Sequence, residues 1–243
     1  MADPEAPRSP WQTATVMALH DETAHARTFR LALSRPAPHL AGQHFIVRLT
    51  APDGYTAQRS YSVASAPDDS NEIDLTVERL PNGEVSGYLH DVVEPGDELE
   101  VRGPIGGWFV WRADTPALLV GGGSGLVPLA AMLRLARRTG AADRVRLVAS
   151  VRSPGDLYYA AELPGPEVTV AYTRAAPAGA ERPTGRLTAA DVEGPVAALG
   201  GPGGGLTAYV CGSAGFAEAA SRLLVDVGVP VGTIRVERFG PSG

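Results

Sequence analysis

The sequence predicts two domains in one chain: a six-stranded antiparallel β-barrel, then an α/β unit built on a five-stranded parallel sheet. Three observations carry this. From about residue 11 to residue 102 apolar positions alternate with period two, as strands with one buried face require. After about residue 113 short apolar runs alternate with stretches of helical period, which indicates parallel strands joined by crossover helices. The rhythm changes within residues 108–114. The expected division is therefore a flexible leader at 1–10, a barrel at 11–112 and an α/β domain at 113–243.

The barrel strands follow from their alternation. Phe29, Leu31 and Leu33 enclose Arg30 and Ala32; Phe45, Val47 and Leu49 enclose Ile46 and Arg48; Ile73, Leu75 and Val77 alternate with Asp74, Thr76 and Glu78; Leu99 and Val101 repeat the signal. Turn chemistry separates them at Pro52-Asp53-Gly54, Pro67-Asp68-Asp69, Pro81-Asn82-Gly83 and Pro95-Gly96-Asp97. Val85, Tyr88, Leu89, Val92 and Val93 break the rhythm with helical spacing, so a short helix is expected to start after Gly83 and cap the barrel. In the second half the expected order is strand 117–120, helix 126–138, strand 145–151, a short helix near 156–163, strand 168–172, helix 188–199, strand 206–210, helix 214–227 and strand 233–237. The Pro/Gly-rich stretches 175–185 and 200–205 read as surface loops.

Composition removes several functions. With 243 residues, 44% hydrophobic and 20% charged, the chain can build a sizeable core. A net charge of −6 argues against non-specific nucleic-acid binding. All 21 basic residues are Arg, which excludes a Schiff-base lysine and a P-loop with its phosphate-binding Lys. The single cysteine, Cys211, rules out an internal disulfide and a Cys-ligated iron–sulfur cluster within this chain. No apolar run approaches the length of a membrane span. The expected protein is a cytoplasmic monomer without membrane or nucleic-acid contacts. His20, His25, His39, His44 and His90 show no metal-ligand spacing, so no metal is expected.

Five stretches offer chemistry. Gly121-Gly122-Gly123-Ser124-Gly125-Leu126-Val127-Pro128 follows a strand and opens a helix, so its backbone N–H groups and the helix N-terminus suit a phosphate. The same turn invites comparison with a nucleophile elbow around Ser124, but Leu126 stands where the second glycine belongs. Arg59-Ser60-Tyr61-Ser62 places a cation and a flat aromatic on one strand face and two hydroxyls on the other, a set that an anionic cofactor with a flat ring would need. Gly83-Glu84-Val85-Ser86 opens the barrel helix with free amides. Cys211-Gly212 ends a parallel strand, where ligands of open α/β sheets bind. Glu237 and Phe239 end the last strand, close to the same crevice.

In this order, with Gly103-Pro104-Ile105-Gly106-Gly107-Trp108-Phe109 between barrel and turn, the motifs resemble the ferredoxin–NADP reductase superfamily, especially the stand-alone flavin–nicotinamide reductase modules of bacterial oxygenase systems. The resemblance runs over nearly the whole chain, from about residue 11 to residue 243. It implies FAD, with Arg59 on the flavin phosphate, Tyr61 against the flavin, Ser60 beside them and Ser62 near flavin N5. It further implies that Val77, Glu78 and Arg79 line the cofactor and that Gly83, Val85 and Ser86 hold the pyrophosphate. Gly123, Ser124, Gly125 and Pro128 match the nicotinamide-nucleotide turn; Cys211, Gly212 and Glu237 lie beside the nicotinamide, with Phe239 near the flavin. Ser62, Cys211 and Glu237 are thereby the candidate catalytic groups. Four residues follow Phe239, whereas plant-type members end in an aromatic.

The implied activity is hydride transfer from NAD(P)H to FAD, with electrons passed singly to a separate redox partner protein of ferredoxin or oxygenase type. Arg152 and Ser153 end the second strand, and Arg174, Arg182 and Arg186 lie downstream; a 2′-phosphate would welcome them, which favours NADPH over NADH. Three other readings remain: a flavoprotein relay subunit without a productive nicotinamide site, a reductase that takes FMN or free flavin as substrate, and a hydrolase built on Ser124.

Overall fold

The computed structural model describes residues 9–239. Residues 1–8 of the expected leader and 240–243 of the tail lie outside the described residues.

Six strands form the first sheet: β1 (Gln12–Thr23), β2 (Ala26–Leu33), β3 (His44–Thr50), β4 (Thr56–Ser62), β5 (Glu72–Glu78) and β6 (Glu98–Ile105). Their order is β4-β3-β6-β1-β2-β5, with antiparallel neighbours throughout. A bridge between Val63 and Leu75 joins the two outer strands and closes the barrel. Every second residue points inward, so Phe29, Leu31, Phe45, Val47, Ile73, Leu75 and Val101 make one core. The barrel helix is α1 (Glu84–Asp91), with Gly83 at its N-cap. Val85 and Leu89 enter the barrel core, and the His90 ring meets the Val77 carbonyl at 2.9 Å. Tyr88 and Val92, expected on the same apolar stripe, are instead exposed. Only the 85–89 row faces the barrel mouth, and the neighbouring row looks outward.

The second sheet holds β7 (Ala117–Gly122), β8 (Val145–Val151), β9 (Val168–Tyr172), β10 (Thr207–Ser213) and β11 (Ile234–Phe239), all parallel, in the order β11-β10-β7-β8-β9. Helix α2 (Leu126–Thr139) covers one face. Helices α3 (Ala189–Ala198) and α4 (Ala214–Asp226) cover the other. A capping box between Thr188 and Asp191 starts α3. The short helix expected near 156–163 is absent. A 3₁₀ turn over Pro154–Asp156 gives way to turns in which Tyr159 adopts φ 57°. Tertiary hydrogen bonds explain this: the Tyr159 N–H and hydroxyl both reach the barrel, a stronger pull than local helical spacing.

The two sheets are fused along a buried seam. Ala26, Ala41 and Ala64 from the barrel and Phe109 and Trp111 from the connector pack with Leu126, Leu129 and Met132 of α2. The Tyr209 hydroxyl donates to the Val110 carbonyl at 2.8 Å, and Arg235 donates to the same carbonyl and to that of Trp108, each at 3.0 Å.

Candidate active site

The carboxyl ends of the parallel strands meet the barrel at this seam. Cys211 on β10 pairs in register with Gly121 on β7 and with Glu237 on β11. The glycine turn after β7 folds as one 3₁₀ turn, Gly123–Gly125, and runs straight into α2. Gly125 rests directly on the end of β10: a Cβ there would lie 2.1 Å from the Cys211 carbonyl oxygen. Gly123 takes φ +56° and faces open space. Pro128 lies buried in the first turn of α2, where no N–H is needed. Ser124 sits half-buried within this turn.

Burial governs the two acidic groups beside this turn. Cys211 is fully buried, and its thiol is pushed well above the ordinary range, first by burial and then by the Glu237 carboxylate. Burial alone raises the Glu237 carboxyl to about 7. Among the described residues its buried Oε2 has no hydrogen-bond partner, a costly state for a polar atom unless a ligand completes it. Gly212 continues β10 beside Arg238, and Phe239 pairs with Ser213 and packs half-buried against the seam core.

On the barrel side β4 pairs with β3, setting Arg59 opposite Val47 and Tyr61 opposite Phe45, with Ser60 opposite Ile46 and Ser62 opposite His44. Arg59 and Tyr61 therefore share one face, and Ser60 and Ser62 the other. Arg59 is exposed and its guanidinium donates to its own neighbour's carbonyl, Gln58 O, at 2.8 Å. The Tyr61 hydroxyl is buried with no hydrogen-bond partner among the described residues, and burial raises its pKa. Ser62 is buried. At α1 the N-cap is a glycine with no side chain to offer, so the first amides, including those of Val85 and Ser86, await an acceptor. The Ser86 hydroxyl accepts from the Leu80 N–H at 3.2 Å, tying the turn to the helix. Val77 belongs to the barrel core and reaches outward by its backbone alone. Glu78 is half-buried, and Arg79 is engaged with Asp91 at 2.8 Å.

The end of β8 carries a group that the sequence reading passed over. Ser153 donates to Asp156 at 2.6 Å, which sets a carboxylate a few residues beyond the strand end. Arg152 and Arg174 are exposed neighbours, joined by an N–H of Arg174 to the Arg152 carbonyl at 3.0 Å. Arg182, counted among the cations available to a phosphate, is instead consumed by Asp191 at 2.5 and 2.9 Å. The signal for Asp156 is present in the sequence as an acidic residue just past the second strand.

These residues fit a flavin and a nicotinamide nucleotide. On the barrel lie the Tyr61 hydroxyl, which has no hydrogen-bond partner among the described residues, and the uncapped start of α1; at the carboxyl end of the parallel sheet lie Glu237 Oε2, likewise without a partner there, and the open glycine turn. Among the described residues no three His, Cys, Asp or Glu side chains cluster as metal ligands.

Comparison with known proteins finds matches for both halves of the chain. A family model described as an oxidoreductase FAD-binding domain matches residues 13–110, and one described as an oxidoreductase NAD-binding domain matches residues 119–222. The ferredoxin–NAD(P)(+) reductase component of the naphthalene 1,2-dioxygenase/salicylate 5-hydroxylase systems of Ralstonia sp. is 33% identical, over 94% of this chain and 69% of that protein. The corresponding naphthalene 1,2-dioxygenase component of Pseudomonas putida is 30% identical with the same coverage. Among solved structures, the ferredoxin reductase in carbazole 1,9a-dioxygenase superposes with a TM-score of 0.78 at 25% identity, over 98% of this chain and 71% of that one.

Proposed function

The chain belongs to the ferredoxin–NADP reductase superfamily, and from that premise we propose that it takes hydride from a nicotinamide nucleotide onto bound FAD and passes electrons singly to a separate redox protein. The observation that carries this is the convergence of the glycine turn, Cys211 and Glu237 at one edge of the crevice, with the Arg59–Ser62 strand supplied by the barrel. When bound, the flavin accepts a two-electron hydride and releases its electrons one at a time, which is what links a nicotinamide donor to a one-electron acceptor.

The chain's own residues bind, orient and exclude water. Arg59 holds a phosphate by charge-assisted hydrogen bonds. The amides at the start of α1 hold a pyrophosphate, and those of the Gly123–Gly125 turn hold the second nucleotide's phosphates. Tyr61 offers a flat face, and Ser62 a hydroxyl that can give or take a hydrogen bond. Glu237 holds a proton at its carboxyl below about pH 7. Cys211 stays a neutral thiol, a small apolar wall rather than a nucleophile.

We assign residues 11–112 to the flavin domain and 113–243 to the nucleotide domain, a division that falls between the two family-model matches. The acceptor is a ferredoxin or an oxygenase component, supported by the relatives' own systems. No helix among the described residues is long and apolar enough to cross a membrane. The single buried, unpaired thiol suits a reducing cytoplasm.

The choice of nucleotide turns on Asp156. A carboxylate after the second strand accepts from a ribose 2′-hydroxyl and repels a 2′-phosphate. With Ser153 already donating to it and Arg182 engaged elsewhere, the site favours NADH, against the preference drawn from its arginines.

The test is an absorbance spectrum of the purified protein, followed by anaerobic addition of NADH or NADPH in separate cuvettes. Flavin bands that bleach support the proposal. Bands that persist with both nucleotides point to a relay subunit. Colourless protein that reduces added flavin points to a free-flavin reductase.

A further inference from the structure

One cluster at the seam is not used by the reading above. Tyr159 lies in the β8–β9 loop that begins with Arg152, Ser153 and Asp156, and it bonds directly to two barrel strands and through them to a third. Its hydroxyl donates to Thr76 Oγ1 on β5 at 2.7 Å. Thr76 and Thr28, the latter on β2, share a hydrogen bond at 2.7 Å, and Thr28 Oγ1 donates to Glu22 Oε1 on β1 at 2.7 Å. The other oxygen of Glu22 accepts the backbone N–H of Tyr159 at 3.2 Å. The chain of donors runs one way, from Tyr159 through Thr76 and Thr28 to the Glu22 carboxylate, and closes on the residue where it began.

Everything around this ring fixes it. Thr28, Thr76 and Tyr159 are buried. The Arg134 guanidinium lies 4.6 Å from the Tyr159 ring centroid, donates to both oxygens of Glu162 at 2.8 and 2.6 Å, and donates to the barrel carbonyl of Ala64 at 2.7 Å. Tyr159 sits at φ 57°, a backbone state that a tyrosine avoids unless its surroundings impose it. That state lets the N–H and the hydroxyl of one residue grip the same barrel. Buried side-chain networks of this kind specify a single arrangement when every member is satisfied.

The ring links two parts that the proposed reaction must bring together. Thr76 immediately precedes Val77, Glu78 and Arg79 on the flavin side, and Tyr159 lies three residues after the nucleotide-selecting Asp156 in the connection between β8 and β9. We infer that Tyr159 is a positioning residue, whose hydrogen-bonded ring with Thr76, Thr28 and Glu22 sets the distance between the nucleotide loop and the flavin barrel. The inference rests on the reductase reading. A misplacement of about 1 Å can cost about 100-fold in a transfer step, so small freedom at the seam has a large kinetic effect.

The experiment compares flavin-loaded wild type with Tyr159→Phe, Thr76→Val, the double variant and Thr76→Ser. Stopped-flow flavin reduction is followed over a range of NADH concentrations. Amide hydrogen exchange at Tyr159 is measured without nucleotide. The expected result is unchanged flavin content, a reduction rate at saturating NADH lowered about tenfold or more in both single variants, and an NADH Kd changed less than about threefold. The double variant should be no slower than the worse single one, because the ring is already open. Faster exchange at Tyr159 in both single variants, and recovery of rate and protection in Thr76→Ser, complete the pattern. Unchanged saturating rates in folded, flavin-loaded Tyr159→Phe and Thr76→Val overturn the positioning role and leave the reductase reading intact. A loss confined to Kd overturns it equally. Wild type that neither nucleotide reduces overturns both. Should Tyr159→Phe fail to fold, the Thr76→Val and Thr76→Ser pair decides alone.

Discussion

Cys211 and Glu237 stand side by side across the parallel ladder of β10 and β11, and burial disfavours the charged form of both. A thiolate next to a carboxylate in that setting would place two anions together in a poorly hydrated crevice. Cys211 therefore stays a neutral thiol, and Glu237 keeps its proton below about pH 7; in that range the electrostatics beside the glycine turn do not oppose an approaching hydride donor.

The first prediction concerns the pH dependence of stability. The Glu237 carboxyl is raised in the folded protein from its ordinary 4.5 to about 7, so between these values the folded state binds a proton that the unfolded state has lost. The stabilisation is whole below about pH 4.5, falls as pH rises towards about 7, and is then spent. Glu237→Gln removes this titration. Its Tm, measured without nucleotide from pH 5 to pH 8, should fall less than that of wild type, with the variant the more stable at pH 8. Parallel curves would show that Glu237 is not the buried acid.

Arg59 and Cys211 should fail in different ways. Arg59→Ala removes an exposed side chain whose one hydrogen bond among the described residues is to the carbonyl of Gln58, so the apoprotein Tm should barely move. Flavin affinity should drop by about 10–100-fold, as befits a lost charge-assisted phosphate contact of about 1.5–3 kcal/mol. Cys211→Ala should keep its flavin and be reduced more slowly, because it changes the wall beside the nicotinamide site. Stopped-flow reduction unchanged in Cys211→Ala would remove Cys211 from the mechanism. The folded wild-type thiol should also resist alkylation at pH 8, since burial suppresses its thiolate.

Asp156 should govern the choice of nucleotide. A hydrogen bond between a carboxylate and a ribose hydroxyl contributes about 1.5–3 kcal/mol, or about tenfold or more in binding. Asp156→Ser should weaken NADH and strengthen NADPH, shifting the ratio of kcat/KM values towards NADPH by about tenfold or more. Equal losses for the two nucleotides would assign Asp156 a structural role through Ser153 instead.

The sequence made the barrel and the sheet legible because their burial is one-sided and periodic. Ile73, Leu75 and Val77 alternate with polar neighbours, and all three enter the core of the barrel. The same strand hides its limit, for Thr76 is buried too, covered by a tyrosine 83 positions away. That contact also removed the helix expected near 156–163, whose apolar spacing was real but whose backbone is held by Glu22 and Thr76. Asp156 escaped notice because its position depends on a turn and a side-chain bond to Ser153, neither of which leaves a periodic trace. The glycine turn was legible as a loop between strand and helix. Which of its glycines is packed and which is open was not, since that depends on how β10 passes beneath it.

That last distinction yields opposite outcomes for two neighbouring glycines. Gly125→Ala would drive a Cβ to 2.1 Å from the Cys211 carbonyl oxygen and 2.6 Å from the Gly212 nitrogen, both backbone atoms with little freedom to yield. Overpacking of this kind costs about 3 kcal/mol, at the upper end of its usual range, a fall in Tm of about 6–12 °C for a chain of this size, and the shifted strand end should disturb Cys211 with it. Gly123→Ala meets no atom within 4 Å, so its penalty is the left-handed φ alone, about 1–2 kcal/mol. Its methyl group, however, projects into the space where the turn's amides would meet the nucleotide's phosphates. Gly123→Ala should therefore keep its flavin, lose only a few degrees in Tm, and bind nucleotide at least tenfold more weakly by titration (about 1.4 kcal/mol). If Gly123→Ala bound NADH as wild type does, the turn would be a structural joint between β7 and α2, and the phosphates would have to be held elsewhere along the crevice.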